Sequence, residues 1–274
     1  MAGIPNVTLN NGITMPQIGF GVFQIPEADT TAAVSTALEA GYRSIDTAAA
    51  YGNETGVGSA IKGSGIPRNE LFITTKLWNS DQGYEETLQA FDASLARLGL
   101  DQLDLYLIHW PTPKHGRYLD TWRAMERLIE EGRVRAIGVS NFLPEHLRAV
   151  AGLGGTVPAV NQIEVHPALQ QRDAQAVNTE LGVVTEAWSP LAQAGVLSER
   201  SVTDIATAHD RTPAQVVLRW HVQQGRVVIP KSVTPARIEE NLRIFDFELT
   251  GDEMAAIDAL ESDGRTGPHP DHFN

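Results

Sequence analysis

Eight short apolar runs alternate with helical patterns along almost the whole chain. The runs begin near Ile18, Ser44, Phe72, Leu103, Arg135, Ala159, Val183 and Val227. Successive starts are separated by 26, 28, 31, 32, 24, 24 and 44 residues, which leaves room for at least one helix after each strand. Eight strand–helix units in one chain indicate a closed barrel rather than an open sheet.

Residue types at the predicted element boundaries agree with this division. Pro144, Pro213 and Pro235 each open a helical pattern, and proline is favoured at the first position of a helix. We expect Pro235 to begin the last regular helix. The longest gap contains two helical patterns, Val202 to His209 and Pro213 to Gln224, so we interpret one of them as an insertion.

A separate pattern precedes the first apolar run. Val7 to Leu9 and Ile13 to Met15 flank the segment Asn10-Asn11-Gly12, and an Asn-Gly turn between two such runs predicts a β-hairpin. No linker or low-complexity stretch divides the chain. We therefore predict one domain over residues 1–274, an α/β protein with a (β/α)8 TIM barrel, an N-terminal β-hairpin and short extra helices.

The composition narrows the classes of function. The net charge of −13 disfavours binding to nucleic acid or to an anionic membrane surface, and any anionic ligand must be held by a local group of cations. The absence of cysteine excludes disulfides, thiol catalysis and cysteine-bound metals. No apolar run approaches about 18 residues, and the N-terminus lacks the pattern of a secretory signal, so we expect a cytoplasmic protein.

Chemically useful side chains follow three successive strands. The second run ends at Asp46, with Tyr51 in the loop after it, and the third and fourth runs end at Lys76 and His109. Each residue alone has an ordinary structural explanation, as a surface lysine, a wall histidine or a packed tyrosine. In a parallel barrel, however, the carboxyl ends of the strands share one rim, and active sites lie there. The joint placement therefore predicts a site.

The chemistry of these four groups suggests proton transfer to a carbonyl oxygen. A phenol has a reference pKa of about 10. Lys76, paired with Asp46, should stay charged and lower the pKa of Tyr51 by about 1–3 units, which would make Tyr51 a general acid. His109, if neutral, can orient a substrate oxygen. No Ser-His-Asp or Cys-His set points to acyl transfer. The four side chains instead suit the protonation of an alkoxide that hydride delivery has formed.

A hydride donor requires a cofactor, and the usual dinucleotide motif is absent. No G-x-G-x-x-G follows a strand, and there is no P-loop. Lys231, Ser232 and Thr234 follow the last strand, and Arg237 begins the next helix. Cations beside a helix start can form a phosphate site. Ordinary charge flanking a helix explains this segment about equally well when it is taken alone.

Five longer motifs resemble those of the aldo-keto reductases, most closely the short bacterial 2,5-diketo-D-gluconate reductase group. They are IDTAAAYGNE at Ile45 to Glu54, LFITTKLW at Leu71 to Trp78, LDLYLIHWP at Leu103 to Pro111, IGVSNF at Ile137 to Phe142 and IPKSVTPARIEEN at Ile229 to Asn241. The resemblance covers the chain from the hairpin to about Asp258.

The resemblance implies NADPH/NADP+ as cofactor and a catalytic tetrad of Asp46, Tyr51, Lys76 and His109. It implies that the nicotinamide is held by Ser140, Asn141, Gln162 and the stacked indole of Trp188. It implies that the 2′-phosphate is held by Lys231, Ser232 and Arg237, with Glu240 and Asn241 near the adenine. Aromatic walls for the substrate are implied at Phe23, Trp78 and Trp110.

The implied activity is reduction of aldehydes or ketones, such as keto-sugar acids including 2,5-diketo-D-gluconate, α-dicarbonyls and small aldehydes, by a monomer. One departure concerns Ala192, since relatives often have glycine there; a backbone with positive φ would disfavour alanine. No metal site is expected, because His269 and His272 lie in a proline-rich tail that we expect to be irregular and that could fold near the pocket.

Two other classes of function stay open at this point. A Schiff-base lyase would use Lys76 as a nucleophile on the same barrel, and a reductase-like barrel could also serve as a non-enzymatic cofactor sensor or structural subunit. The complete tetrad favours the reductase, because a binding module does not require a proton donor.

Overall fold

The computed structural model describes residues 3–274, and its centre is a ring of eight parallel strands. These strands are β3 Phe20–Gly21, β4 Ser44–Asp46, β5 Phe72–Leu77, β6 Leu103–Ile108, β7 Val134–Ser140, β8 Val160–Glu164, β9 Val184–Trp188 and β10 Val227–Val228. Each strand pairs with the next one along the chain. Ile18 pairs with Val228 in the parallel sense, which closes the ring. The predicted barrel is confirmed, with every strand close to its expected place.

The predicted hairpin covers the amino-terminal end of the ring. Strands β1 Asn6–Thr8 and β2 Thr14–Pro16 are antiparallel, with Val7 opposite Met15. The buried side chains of Leu9 and Met15 pack against residues at the strand starts. The hairpin therefore closes the end of the barrel that lies away from the βα loops.

Ten α-helices surround or extend the barrel in the described part of the chain. They are α1 Glu27–Ala40, α2 Glu54–Gly63, α3 Tyr84–Leu98, α4 Tyr118–Glu130, α5 Pro144–Ala151, α6 Arg172–Glu180, α7 Arg200–Ala208, α8 Pro213–Gln223, α9 Pro235–Asn241 and α10 Gly251–Asp258. The three prolines predicted to open helices do so. None of the helices within residues 3–274 has the length and apolar character needed to cross a membrane.

The expectation that Pro235 begins the last regular helix is wrong, because α10 follows α9. Helix α10 is opened by a capping box, in which the Thr250 hydroxyl accepts from the Glu253 amide while the Glu253 side chain accepts from the Thr250 amide. This Thr-x-x-Glu pattern was readable in the sequence. Weak amphipathicity after it concealed the helix, since Ile257 is its one fully buried apolar residue.

The longest strand-to-strand gap contains the inserted helix. Helix α8 packs against β10 and α9 and so belongs to the barrel wall. Helix α7 packs against α8 and α10 instead, in a second apolar cluster that includes Val202, Trp220 and Ile257. The insertion predicted in this gap is therefore α7.

Candidate active site

The loop after β4 is held rigidly and carries Tyr51. Asn53 occupies the position before α2, but its side chain makes no capping bond. It is fully buried instead, donating to the carbonyls of Val22 and Ile25 at 3.0 Å each and accepting from the Thr47 hydroxyl at 2.8 Å. These bonds tie the loop to two neighbouring segments and fix where the phenol lies.

The Lys76 ammonium group connects the predicted acid and carboxylate. Its Nζ donates to Asp46 Oδ1 at 2.6 Å, to the Thr47 carbonyl at 2.9 Å and to the Tyr51 hydroxyl at 3.4 Å. The Lys76 side chain is completely buried. The structure therefore brings Asp46, Tyr51 and Lys76 into one hydrogen-bonded cluster, as the sequence predicted.

The predicted sign of the pKa shift at Tyr51 is wrong. Desolvation raises the pKa of Tyr51 above its usual value, Lys76 opposes this, and the Asp46 charge raises it further. Desolvation by itself would lower the pKa of Lys76, but Asp46 and Tyr51 raise it above its usual value. The phenol is thus held protonated, and Lys76 limits rather than reverses the effect of burial.

His109 lies beside the phenol in its neutral form. Its ring packs edge-on to Tyr51 and Trp78, with ring centroids 5.6 and 5.2 Å away. Desolvation and the charge of Lys76 lower the pKa of His109 well below its usual value. Its buried Nδ1 has no hydrogen-bond partner within residues 3–274. A neutral imidazole next to the phenol is suited to hydrogen bonding with an uncharged oxygen.

The predicted nicotinamide contacts form a connected row on β7, β8 and β9. Ser140 Oγ donates to the Gln162 carbonyl at 2.8 Å, and Asn141 Nδ2 donates to the His109 carbonyl at 2.9 Å. The Trp188 indole nitrogen donates to Asn141 Oδ1 at 2.8 Å. The side chains are therefore oriented by one another, next to the imidazole.

Gln162 also contacts the hydrogen-bonded cluster of Asp46, Tyr51 and Lys76, called here the tyrosine cluster. Its Nε2 donates to Asp46 Oδ2 at 2.8 Å and to Glu186 Oε2 at 2.9 Å. Glu186 is fully buried, and it was absent from the predicted site. Desolvation and the nearby Asp46 charge raise the pKa of Glu186 to about 8. A glutamate inside the apolar run of β9 was a sequence signal that could have identified it.

The predicted phosphate segment is exposed, and no side-chain hydrogen bond within residues 3–274 joins it to Asp46, Tyr51 or Lys76. Lys231 and Arg237 are exposed, and neither forms an ion pair within residues 3–274. The Ser232 hydroxyl accepts from the Thr234 amide at 3.1 Å. Farther along α9, the Glu240 carboxylate accepts from the Thr212 hydroxyl at 2.5 Å and Asn241 is buried.

Aromatic side chains and the C-terminal tail surround the region beside the Tyr51 and His109 rings. Phe23, 55% exposed, lies 5.0 Å from the Tyr51 ring, measured between ring centroids. The irregular tail folds over this region, where Phe273 lies 4.6 Å from Trp110 and 6.1 Å from Trp78. The three predicted wall residues therefore lie around the Tyr51 and His109 rings, and Phe273 of the tail packs beside two of them.

A second buried glutamate, Glu164, anchors this tail. Its Oε1 accepts from the Thr266 amide and hydroxyl at 2.6 Å each and lies 3.0 Å from His166 Nε2, while its Oε2 accepts from the Gly267 amide at 3.1 Å. Although desolvation opposes it, these donors hold the pKa of Glu164 below its usual value. Sequence reasoning did not find this contact.

One group of side chains near the tail bears on the expected absence of a metal. Glu145, His146 and Asp271 can each place one ligand atom within 4.8 Å of the others. Glu145 is exposed, Asp271 is partly exposed and His146 is buried, and one imidazole beside two carboxylates does not by itself define a metal site. The absence of a metal stays a prediction.

Comparison with known proteins agrees with this geometry. The model of the Aldo/keto reductase family matches residues 17–262. The chain belongs to the aldo/keto reductase family. It is 56% identical over 270 residues to an aldo-keto reductase of Mycolicibacterium smegmatis, covering 98% of each chain. It is 51% identical over 271 residues to the methylglyoxal reductase DkgA of Yersinia pestis, covering 98% of this chain and 97% of the relative.

A solved structure of a Gox0644 variant in complex with NADPH has the same architecture as this aldo/keto reductase. The TM-score is 0.95 at 47% identity, and the alignment covers 99% of both chains. The two proteins therefore share the barrel and its loops over essentially their full length.

The departure noted at Ala192 has a conformational cost in this aldo/keto reductase. Ala192 has φ 50°, and Gln193 and Ala194 follow with φ 52° and 72°. A non-glycine residue in the left-handed region costs about 1–2 kcal/mol. The loop after β9 thus carries backbone strain at three successive residues, and glycine at position 192 would relieve part of it.

Proposed function

We propose that this protein reduces aldehyde or ketone carbonyls to alcohols with NADPH, using Tyr51 as the proton donor. The class of enzyme, an NADP-dependent oxidoreductase, follows from its family and from relatives solved with NADPH. The observation that carries the assignment of Tyr51 is the buried Lys76 ammonium, 2.6 Å from Asp46 and 3.4 Å from the phenol oxygen. A neutral His109 lies beside this cluster.

The residues on β7 to β9 fit the nicotinamide end of the cofactor. No hydrogen bond within residues 3–274 engages the Gln162 amide oxygen, which leaves it as an acceptor for a carboxamide NH2. Ser140 and Asn141 would complete the polar contacts, and the indole of Trp188 would stack on the ring. When bound, NADPH supplies a hydride to the carbonyl carbon.

The 2′-phosphate end is assigned to exposed cations. In a protein with a net charge of −13, an anion requires local positive charge. Lys231 and Arg237 supply it without competing ion pairs in the described chain, and the Ser232 hydroxyl adds a donor. Glu240 and Asn241 are assigned to the adenine side of this segment.

The protein's own groups complete the reaction by moving one proton. As the carbonyl carbon gains a hydride, its oxygen becomes an alkoxide and takes the phenolic proton of Tyr51. The resulting phenolate is stabilised by the Lys76 ammonium, which Asp46 keeps charged. Desolvation raises the pKa of Tyr51, so the phenol enters each turnover protonated at neutral pH. His109 orients the substrate oxygen by hydrogen bonding.

The substrate class is proposed from the walls of the opening. Phe23, Trp78 and Trp110 suit small aldehydes, α-dicarbonyls and keto-sugar acids such as 2,5-diketo-D-gluconate. The relative from Yersinia pestis is named a methylglyoxal reductase, which supports including α-dicarbonyls. NADPH oxidation measured against one member of each class will rank them, and failure to oxidise NADPH with all three would contradict the proposal.

The role of Tyr51 is tested by removing only its hydroxyl. Tyr51→Phe should keep NADPH binding and lose about 10²- to 10⁴-fold in turnover, because proton donation is lost while the ring remains. Tyr118→Phe is the matched control, since that ring packs against Phe142 and His146 away from the cluster. Near wild-type turnover in Tyr51→Phe would refute the mechanism.

The assignment of Arg237 to the 2′-phosphate is tested by removing its positive charge. Arg237→Ala should weaken NADPH binding at least about tenfold more than NADH binding, because only NADPH carries the 2′-phosphate. Arg243→Ala is the control, an exposed arginine 3.8 Å from Glu239 in the same region. Equal weakening of both cofactors by Arg237→Ala would contradict the assignment.

The Schiff-base lyase considered from the sequence is disfavoured by the state of Lys76. A nucleophilic amine must be neutral and reachable, whereas Lys76 is fully buried, paired with Asp46 and has a raised pKa. Borohydride should therefore trap no substrate adduct on Lys76, and a trapped adduct would revive the lyase. A non-enzymatic role does not account for the proton-donor cluster.

A further inference from the structure

Glu186 lies directly behind the proposed active site, and the mechanism above does not use it. Its side chain is fully buried on β9. Oε2 accepts from Gln162 Nε2 at 2.9 Å, and Oε1 has no hydrogen-bond partner within residues 3–274. The neighbouring position on β10 is the apolar Val227. Gln162 is therefore the polar contact through which Glu186 can act.

The two carboxyl groups dictate the orientation of the Gln162 amide. Its NH2 group offers two hydrogens, and these are directed to Asp46 Oδ2 and Glu186 Oε2. The reversed amide would place its oxygen against the Asp46 carboxylate, which has no hydrogen to donate, and would lose that bond. The observed orientation keeps both bonds, and it leaves the amide oxygen as the free acceptor.

We propose that Glu186 is a positioning residue that, together with Asp46, holds the Gln162 amide so that its oxygen receives the carboxamide NH2 of the nicotinamide. This inference rests on the proposed function, because Gln162 is assigned to the cofactor there. It adds a residue that does not touch the cofactor or the substrate. It also joins the cofactor contact to the proton-donor cluster, since Asp46 is shared by Gln162 and Lys76.

The charged and titratable groups around Glu186 make its hydrogen bond with the Gln162 amide sensitive to pH. Asp46 faces Glu186 from β4, Lys76 from β5 and Tyr51 from the loop after β4. One positive charge, that of Lys76, therefore lies near the carboxyl groups of both Asp46 and Glu186. Ionisation of Glu186 strengthens its acceptance from Gln162, because a charged acceptor makes the stronger hydrogen bond. The affinity for NADPH should therefore increase as pH rises through the pKa of Glu186, which lies at about 8.

The test measures NADPH binding without turnover, by quenching of tryptophan fluorescence. Glu186→Leu replaces the acceptor by an apolar side chain of similar size. It should weaken NADPH binding roughly tenfold, which is the effect of losing one hydrogen bond. Glu54→Gln is the matched control: Glu54 is also buried, but it accepts from Thr75 and Arg97 instead. It should leave the affinity for NADPH unchanged.

A double-mutant cycle separates positioning from a general structural effect. If Glu186 acts through Gln162, then Glu186→Leu should add no further loss of NADPH affinity in a Gln162→Met background. Additive losses, or an unchanged affinity in Glu186→Leu alone, would overturn the inference. If wild-type protein binds no NADPH, the proposed function itself fails, and the two failures are thus distinguishable.

A second variant keeps the inference testable if Glu186→Leu does not fold. Glu186→Gln retains the shape and a neutral acceptor but cannot ionise. The wild-type affinity for NADPH should change across pH 7 to 9, by about threefold or more for a hydrogen bond gaining charge, and the change should be absent in Glu186→Gln. Persistence of the same pH dependence in Glu186→Gln would overturn the inference.

Discussion

Glu164 and Glu186 lie on the neighbouring strands β8 and β9, and both are fully buried. Glu164 is contacted by donors from His166, Thr266 and Gly267, and its pKa is lowered despite desolvation. Glu186 is contacted by one amide and faces the Asp46 charge, and its pKa is raised to about 8. Burial is therefore common to the two glutamates, and the hydrogen-bond donors and charges around each one decide which of them is ionised at neutral pH.

The difference matches the two tasks that these groups perform. The ionised Glu164 holds the tail across the opening, where a permanent charge gives strong hydrogen bonds to backbone amides. Glu186 instead belongs to a cluster in which Lys76 is the only cation among the buried groups described there. A second permanent negative charge in that cluster would oppose formation of the Tyr51 phenolate.

The largest expected effect comes from removing the cation of the cluster. Lys76→Met should destabilise the protein by about 3–5 kcal/mol, because it leaves Asp46 buried without its partner. It should also raise the pKa of Glu186 further. Urea unfolding at neutral pH measures the first effect. Retention of wild-type stability would show that Asp46 is not charged, which would remove the contrast between the two glutamates.

The next effect concerns the tail. Glu164→Gln should cost about 1.5–3 kcal/mol, the range for hydrogen bonds to a charged group, and should speed hydrogen exchange at the Thr266 and Gly267 amides. Glu186→Gln is the matched variant on the adjacent strand and should leave exchange at those amides unchanged. If both variants loosened the tail equally, the anchoring could not be assigned to Glu164.

The smallest effect is a difference in the pH dependence of stability. In the unfolded chain Glu186 ionises near 4.5, but in the folded protein near 8. Between these values the folded state retains a proton that the unfolded state has lost, so wild-type stability decreases as pH rises. Relative to wild type, Glu186→Gln should therefore gain about 2 kcal/mol between about pH 6 and 7.5, at about 1.4 kcal/mol per unit.

Glu164 should show the opposite sign. Its pKa is lowered in the folded protein, so the stability it contributes is present above its unfolded pKa and is lost as pH falls through its folded pKa. The free energy of unfolding that Glu164→Gln loses relative to wild type should therefore become smaller as pH falls. Urea unfolding of both variants over pH 4 to 8 checks the pair, and slopes of the same sign would contradict the contrast.

The strands, the hairpin and the helix starts marked by proline could be predicted because they depend on local patterns. Apolar runs of strand length, an Asn-Gly turn and proline at the first helical position act over a few residues. The same is true of Asp46, Lys76 and His109, since parallel strands in a barrel must end on a common rim. Helix α10 was missed although its capping box was present, because its apolar face is weak.

The tail and the sign of the Tyr51 shift could not be predicted in this way. Thr266 and Glu164 are 102 residues apart, and no periodicity relates them. Whether Tyr51 is stabilised as phenol or phenolate depends on how much desolvation outweighs Lys76, and that balance depends on surrounding atoms from several strands.

By itself, the sequence determined the eight-fold alternation, the family and the rim residues that we propose for proton donation, because these depend on residue types at short spacings. Only the tertiary structure decided which buried groups are charged. Closing the barrel brings Asp46, Lys76, Gln162 and Glu186 from four strands into one desolvated cluster. In such a cluster each ionisation depends on every neighbour, and neighbours are a property of the folded chain.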